Sequence, residues 1–184
     1  MFRKGDVLYD GRFGERYEVL KSAEETGGES VRIEDEARPG PGRRPTSAHP
    51  NQEERFEVLS GTLGLTVDGE EERLLGPGGS SVVPRGARHL PRNAGEGELR
   101  FVADMRPAGR FEGFLAEITA ANNSGREGLA YLLTVAPVLH RFPDVERPTV
   151  LPRPLERALF AVLAGAGRLL GFYPLASEGA KRPD

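Results

Sequence analysis

Between about residues 17 and 105, the sequence consists of short runs in which apolar and polar residues alternate, separated by glycine and proline. Alternation with a period of two is typical of β-strands that bury one face. The clearest hairpin signal is Asp68-Gly69, because Asp-Gly between two alternating runs suits the tight turn that joins antiparallel strands. Repeated short strands and turns predict a mainly β fold, an antiparallel sandwich or barrel.

The periodicity changes after residue 109. Apolar residues then recur at helical spacing, first at Phe111, Phe114, Leu115 and Ile118. A second helix is predicted from Leu129 until Pro137, and a third over residues 155–170. We therefore predict a β-barrel domain over residues 1–108 and a C-terminal helical extension over residues 109–184, packed on the barrel or on a dimer partner.

Composition narrows the possible partners and cofactors. The net charge of −3 offers no general attraction to nucleic acid, so none is expected as a partner. Cysteine is absent, so any metal must be held by histidine, carboxylate or hydroxyl groups. The first ten residues are charged and lack the apolar core of a signal peptide, and no apolar run reaches the length of a membrane span. A cytoplasmic location is the expectation.

Three side chains on separate predicted strands have a composition suited to a metal ion. His49, Glu54 and His89 each lie at a position whose parity points it into the barrel, because strand residues two apart share a face. Two imidazoles and one carboxylate, with positions left open, suit Fe(II) and also Mn, Ni or Zn. The same three residues have an alternative interpretation as polar groups near the barrel opening that hold no metal.

Two motifs support the first interpretation. The segment from His49 to Gly61 has four residues between His49 and Glu54 and six between Glu54 and Gly61, and it resembles the first motif of the cupin family. A second segment resembles the other cupin motif, with every fixed position present: Gly78, Pro84, Gly86, His89 and Asn93. The resemblance covers about residues 38–106. It implies a double-stranded β-helix, or jelly-roll, barrel with His49, Glu54 and His89 as the metal ligands.

The chain departs from the family pattern at one ligand. The first histidine of the cupin His-x-His pair is replaced by Ser47, and a hydroxyl is a poor ligand for a divalent transition metal compared with imidazole. The resemblance then implies a site with three protein ligands. Apolar residues of the neighbouring strands, with Ser47, are expected to line a pocket for a small organic ligand: Phe56, Val58, Leu63, Leu65, Phe101 and Met105.

The sequence leaves the function open between two classes. The first is a metal-dependent enzyme, a dioxygenase or isomerase, in which Glu53 or Glu57 could assist proton transfer. The second is a non-catalytic binding protein whose metal is structural or absent. The residues that perform catalysis are not identified by any motif. Because residues 155–170 are apolar on most sides, a helix there would normally be buried, which predicts a homodimer; a lid over the barrel and a membrane-associated role are weaker alternatives.

Overall fold

The computed structural model describes residues 2–39, 44–149 and 151–173. Residues 40–43, in the loop predicted at the start of the cupin-like region, and residues 174–184 of the C-terminal extension lie outside the described residues. Within them, two antiparallel sheets face each other and form the predicted jelly-roll barrel. One sheet has the strand order β1-β2-β3-β10-β5-β8, and the other has the order β11-β4-β9-β6-β7.

The strands follow the alternation of the sequence. On β5, the buried residues Glu54, Phe56 and Val58 alternate with more exposed ones, as the parity argument predicts. The strand bounds are as follows: β1 Val7–Asp10, β2 Glu15–Lys21, β3 Val31–Ala37, β4 Ser47–Ala48, β5 Glu53–Ser60, β6 Leu63–Val67, β7 Arg73–Leu75, β8 Ser80–Val83, β9 Arg88–Asn93, β10 Leu99–Arg106 and β11 Arg147–Pro148.

The predicted turn at Asp68-Gly69 is confirmed. Both residues have positive φ, 50° and 80°, and the N–H of Glu70 donates to the carbonyl of Val67 at 2.9 Å. Asp and Gly tolerate this left-handed conformation better than other residues. The turn joins β6 to β7, which pair with Leu63 opposite Leu75. Local sequence therefore determines this corner of the barrel.

Three helices follow the strands: α1 Phe111–Asn122, α2 Gly128–Arg141 and α3 Arg153–Leu169. One apolar cluster fills the barrel, around Phe56, Leu63, Leu65 and Phe101. A second cluster lies between the six-stranded sheet and the first two helices, and it includes Val19, Met105, Phe114 and Val138. The helices are thus packed on the outside and over one end of the barrel, and α3 packs on α2.

The predicted end of the second helix is wrong: α2 continues through Pro137 to Arg141. Proline lacks the N–H that would donate to the carbonyl of Leu133, four residues earlier, and this usually ends or kinks a helix. Here the freed carbonyl faces Gly167 of α3 so closely that a Cβ added at Gly167 would overlap it. Tertiary packing against a glycine thus accommodates a proline that the sequence pattern treats as a stop.

Two short strands were not predicted. β1 precedes the region of clear alternation and pairs with β2, with Val7 opposite Glu18. β11 lies between α2 and α3 and pairs with β4, with Arg147 opposite Ala48. The polypeptide therefore returns to the barrel after its second helix. Among the described residues, no helix is both long enough and apolar enough to cross a bilayer.

Candidate metal centre and barrel cavity

The three residues predicted as metal ligands lie together inside the barrel. His49 follows β4, Glu54 lies on β5 and His89 lies on β9. One ligand atom from each residue falls within 4.8 Å of the other two. Oε2 of Glu54 is 2.9 Å from Nε2 of His89 and 3.4 Å from Nε2 of His49. All three side chains are buried, so the sheets bring together residues from both motifs at one point shielded from solvent.

The other nitrogen of each imidazole is held by a backbone carbonyl. Nδ1 of His49 is 2.8 Å from the carbonyl oxygen of Val145, and Nδ1 of His89 is 3.2 Å from that of Ala87. Because a carbonyl oxygen only accepts hydrogen bonds, each Nδ1 must carry the proton. In the neutral imidazole, each Nε2 then has a free lone pair directed towards the carboxylate. Metal-binding histidines are typically oriented in this way.

The donor set fits a divalent transition metal ion. Oε2 of Glu54 is fully buried and accepts no hydrogen bond of good geometry, although two histidine nitrogens lie close to it. A buried carboxylate oxygen in this condition is costly unless a cation or a donor satisfies it. Two imidazole nitrogens and one carboxylate oxygen are ligands that Fe(II), Mn, Ni and Zn accept.

The charges of the three side chains reinforce one another. Burial alone lowers the pKa of His49, but the close contact with Glu54 and the negative charge of that group outweigh burial and raise the pKa to about 9, so a metal ion would displace the proton that Nε2 carries in the metal-free protein. Burial alone raises the pKa of Glu54, but its contacts with His49 and His89 outweigh it and hold that pKa well below the usual range. The carboxylate therefore keeps its charge at neutral pH, as a metal ligand must.

A cavity of about 90 Å³ extends from Glu54 through the barrel interior. Of the residues predicted to line a ligand pocket, Phe56 and Phe101 do so. Val58, Leu63 and Leu65 are buried in the same apolar cluster behind them. Met105 shares a face of β10 with Phe101 but lies nearer the other end of the strand, where it packs in the cluster formed with the helices.

The remaining predicted pocket residue is Ser47. It is half-buried on β4 and lies directly opposite His89 across the strand pair. Residues directly opposite each other in antiparallel strands project to the same face of the sheet. Ser47 therefore shares the face from which His89 reaches the metal centre.

Sequence analysis missed two carboxyl groups that line the cavity, Glu15, which is paired with Arg44, and Asp35. Asp35 on β3 is buried and lines the cavity with Glu54, and its Oδ1 has no hydrogen-bond partner. Burial raises the pKa of Asp35 well above its usual value, and the nearby carboxylates of Glu15, Asp10 and Glu54 raise it further. The sequence does indicate that Asp35 points inwards, because it alternates in step with the apolar residues Val31, Ile33 and Ala37 on the same strand.

The acids suggested from sequence lie elsewhere. Glu53 pairs with Arg55, and Glu57 pairs with Arg32. Glu57 is exposed and Glu53 half-buried, and both alternate with Glu54 along β5, so they occupy its opposite face. Among the described residues, Asp35 is therefore a better candidate than either for exchanging a proton with a ligand in the barrel.

Helix α1 covers the cavity. Phe111 and Leu115 line it, and the Phe111 ring lies edge-on to the imidazole of His49, with ring centroids 6.2 Å apart. The lid interpretation considered for the C-terminal helices therefore applies to α1. A wider cavity of about 340 Å³, lined in part by His140 and Phe160, lies outside the barrel and includes none of the three proposed ligands.

Comparison with known proteins supports the fold. Residues 35–103 match the model of the cupin domain, so the chain contains a cupin domain. No curated protein matches the sequence. The chain is structurally similar to an RmlC-like cupin from Shewanella frigidimarina, with a TM-score of 0.48, 18% identity, and coverage of 61% of this chain and 93% of that one.

Two further solved structures are similar at the same level. KdgF from Halomonas sp. has a TM-score of 0.46 and 19% identity, covering 54% of this chain and 84% of its own. The polyketide cyclase RemF from Streptomyces resistomycificus has a TM-score of 0.45 and 24% identity, covering 57% and 70%. All three TM-scores lie below 0.5, so these likenesses carry no conclusion about this chain.

Proposed function

We propose that this protein is a metal-dependent enzyme. In this proposal, His49, Glu54 and His89 bind one divalent transition metal ion, and the cavity beside them binds a small organic molecule. The observation that carries the proposal is the convergence of two imidazole nitrogens and one carboxylate oxygen, all from buried residues, within 4.8 Å of one another. When bound, such an ion supplies a Lewis acid or a redox centre next to the cavity.

The cavity limits the class of substrate. Its volume of about 90 Å³ and its apolar walls favour a compact molecule. Two guanidinium groups line it, but Arg44 is paired with Glu15 and Arg92 with Glu72. A substrate with several negative charges would have to break these pairs. We therefore favour an uncharged or singly charged compound with an oxygen atom that reaches the metal.

Asp35 supports an enzyme over a passive binding protein. Burial raises the pKa of Asp35, so this carboxyl group keeps its proton to a higher pH than a solvated one, and groups of this kind are typical of sites that move protons. The reaction classes compatible with this pair of groups are oxygenation and isomerisation. The second candidate is non-catalytic binding, which is favoured by the enclosure of the cavity under α1.

The proposal extends to location and assembly. As the sequence predicts, we place the protein in the cytoplasm as a homodimer. Large apolar side chains exposed on α3 favour the dimer: Leu155, Leu159, Val162 and Leu169. These residues, called the α3 stripe below, are spaced by four, three and seven positions and so lie along one side of the helix.

Metal analysis tests the function. Protein purified without a metal-affinity tag should contain about one transition metal ion per chain, and Glu54→Gln should weaken metal binding by at least about 100-fold, because changes even to outer partners of ligands cost 10–100-fold. Glu57→Gln is the matched control, since Glu57 lies on the opposite face of the same strand. Equal affinity of the two variants would show that Glu54 is not a ligand.

The second candidate is tested with the same protein. Metal-loaded protein should turn over small hydroxylated or carbonyl compounds, and Asp35→Asn should reduce the rate while leaving metal content unchanged. Binding of such a compound without any turnover would favour the non-catalytic alternative.

A further inference from the structure

The segment between α2 and α3 returns to the barrel. Within it, β11 pairs with β4, with Pro148 opposite Ser47. The N–H of Thr149 donates to the carbonyl of Thr46 at 3.1 Å, and its hydroxyl donates to the same carbonyl at 3.1 Å. Residues 142–149, called the return segment here, are thus attached to the strand that immediately precedes His49.

One peptide group of the return segment contacts the metal centre. The carbonyl of Val145 accepts the Nδ1–H of His49 at 2.8 Å, and the contact is buried. The N–H of Val145 donates to the carbonyl of Phe142 at 3.0 Å, and its side chain is fully buried in the apolar cluster beneath the helices. The position of this carbonyl therefore depends on how the return segment docks.

The two histidines differ in what orients them. The acceptor for His89 is Ala87, two residues away at the start of the same strand. The acceptor for His49 is 96 residues away in sequence and outside the cupin domain match at residues 35–103. One imidazole is oriented by the barrel itself, whereas the other is oriented by the C-terminal extension.

We propose that the return segment is a positioning element of the metal centre, and that its docking sets the affinity for the metal through the Val145 carbonyl and His49. This inference rests on the proposed function. A hydrogen bond to Nδ1 keeps the proton on that nitrogen, leaves the Nε2 lone pair for the ion and restricts rotation of the ring. Movement of the return segment would release the ring and weaken metal binding without changing any ligand.

The test compares two core truncations in the full-length protein. Val145→Ala loosens the return segment, and Val19→Ala removes the same groups from a fully buried residue of the same cluster whose backbone does not contact His49. Metal affinity, measured by competition with a chromophoric chelator for Zn²⁺ and Mn²⁺, should fall by about 10–100-fold in Val145→Ala. In Val19→Ala it should stay within about threefold, although thermal stability falls in both.

A second variant covers the case in which Val145→Ala does not fold. Thr149→Val keeps the shape of the side chain but loses the hydroxyl that donates to Thr46 and accepts from Nε of Arg88 at 3.2 Å. It should weaken metal binding in the same direction by a smaller factor. Equal metal affinities of Val145→Ala and Val19→Ala would overturn the inference. If Val145→Ala does not fold, a metal affinity of Thr149→Val equal to that of the wild type would overturn it.

Nuclear magnetic resonance separates positioning from a merely structural role. In ¹⁵N-histidine-labelled wild-type protein, the Nδ1 proton of His49 should exchange slowly, whereas exposed His140 should exchange fast. In Val145→Ala, exchange at His49 should accelerate, and in Val19→Ala it should not. A His49 proton on Nε2 in the metal-loaded protein would overturn the inference. Wild-type protein that binds no metal would instead overturn the proposed function, while slow exchange at Nδ1 would still establish the Val145 contact.

Discussion

The barrel interior and the surface of α3 distribute apolar and polar residues in opposite ways. Inside the barrel, the large apolar side chains are buried, and three of the buried polar side chains, Glu54, His49 and His89, meet at one point. On α3, the buried set includes Glu156 and Gly167, while Leu155 and Val162 are 60% and 70% exposed. Each region departs from the usual rule of burial at the place where we propose that it binds a ligand or a partner.

Residues that depart from the usual burial pattern therefore indicate two different kinds of binding site in this chain. In the barrel, polar residues at buried positions indicate a ligand, since burying them without a partner is costly. On the helix, apolar residues at exposed positions indicate a surface that binds another protein chain, since leaving a contiguous apolar patch exposed to water is costly. Four sets of substitutions test this contrast between the barrel and the helices.

The α3 stripe should be the dimer contact. Leu159→Glu combined with Val162→Glu places two charges in the apolar surface. Full burial of a Leu or Val side chain in an interface stabilises it by roughly 1.5–3 kcal/mol, and the double variant loses this contribution at two positions. The wild type should be a dimer and the variant a monomer in light scattering. Val82→Glu, at an exposed position on β8, is the control and should remain dimeric. A monomeric wild type would contradict the proposed dimer.

The second prediction concerns the close contact between α2 and α3. Gly167→Ala would overlap the carbonyl of Leu133, and over-packing of this kind costs about 1–3 kcal/mol. The melting temperature should fall by about 3–10 °C in a chain of this size. Gly165→Ala is a matched control, since a Cβ there meets nothing within 4 Å, and it should stabilise the helix slightly. Equal melting temperatures of the two variants would contradict the packing described here.

The third prediction restores the ligand that the chain lacks. Because Ser47 shares a face with His89, Ser47→His should direct an imidazole towards the metal centre. Metal affinity should rise by about tenfold or more, or about 1.4 kcal/mol, in a chelator competition assay. Ser80→His, on an exposed position of β8, is the control. Unchanged affinity in Ser47→His would mean that position 47 does not face the ion.

The fourth prediction uses the raised pKa of Asp35. Burial is the first cause of that shift, followed by the charges of neighbouring acids: Glu15, Asp10, Glu54 and Glu36. Since the folded-state pKa of Asp35 lies above the unfolded value of 3.8, the stability contributed by the protonated carboxyl group is fully present below about pH 3.8 and is lost as the pH rises through the folded pKa. Arg44, which lines the same cavity and is paired with Glu15, is the neighbouring positive charge.

Asp35→Asn should therefore raise the melting temperature near neutral pH by about 2–4 °C, equivalent to about 1 kcal/mol, and should leave it unchanged near pH 4. Thermal unfolding followed across pH checks this. Glu36→Gln is the control, because Glu36 lies on the other face of β3 and pairs with Arg16. A pH profile of Asp35→Asn parallel to that of the wild type would show that the carboxyl does not titrate as proposed.

The cupin barrel and the three-residue constellation could be predicted from the sequence. Alternation with a period of two places His49, Glu54 and His89 on inward positions, and the two motifs resemble those of a fold in which the three residues meet from two facing sheets. The turn at Asp68-Gly69 follows from the backbone preference of its two residues. These features depend on residues close together in sequence or on one repeated period, so they can be recognised without coordinates.

Three other features of the molecule depend on its tertiary structure and could not be predicted from the sequence. The path of α2 through Pro137 depends on Gly167 of another helix, the acceptor for His49 lies 96 residues away, and Asp35 reaches the cavity only because β3 lies in the same curved sheet as β5. Contacts between distant segments depend on how whole elements pack, and no local pattern specifies that packing. The type of barrel and its polar centre can therefore be recognised from local sequence patterns, whereas the distant groups that orient and enclose that centre depend on tertiary packing.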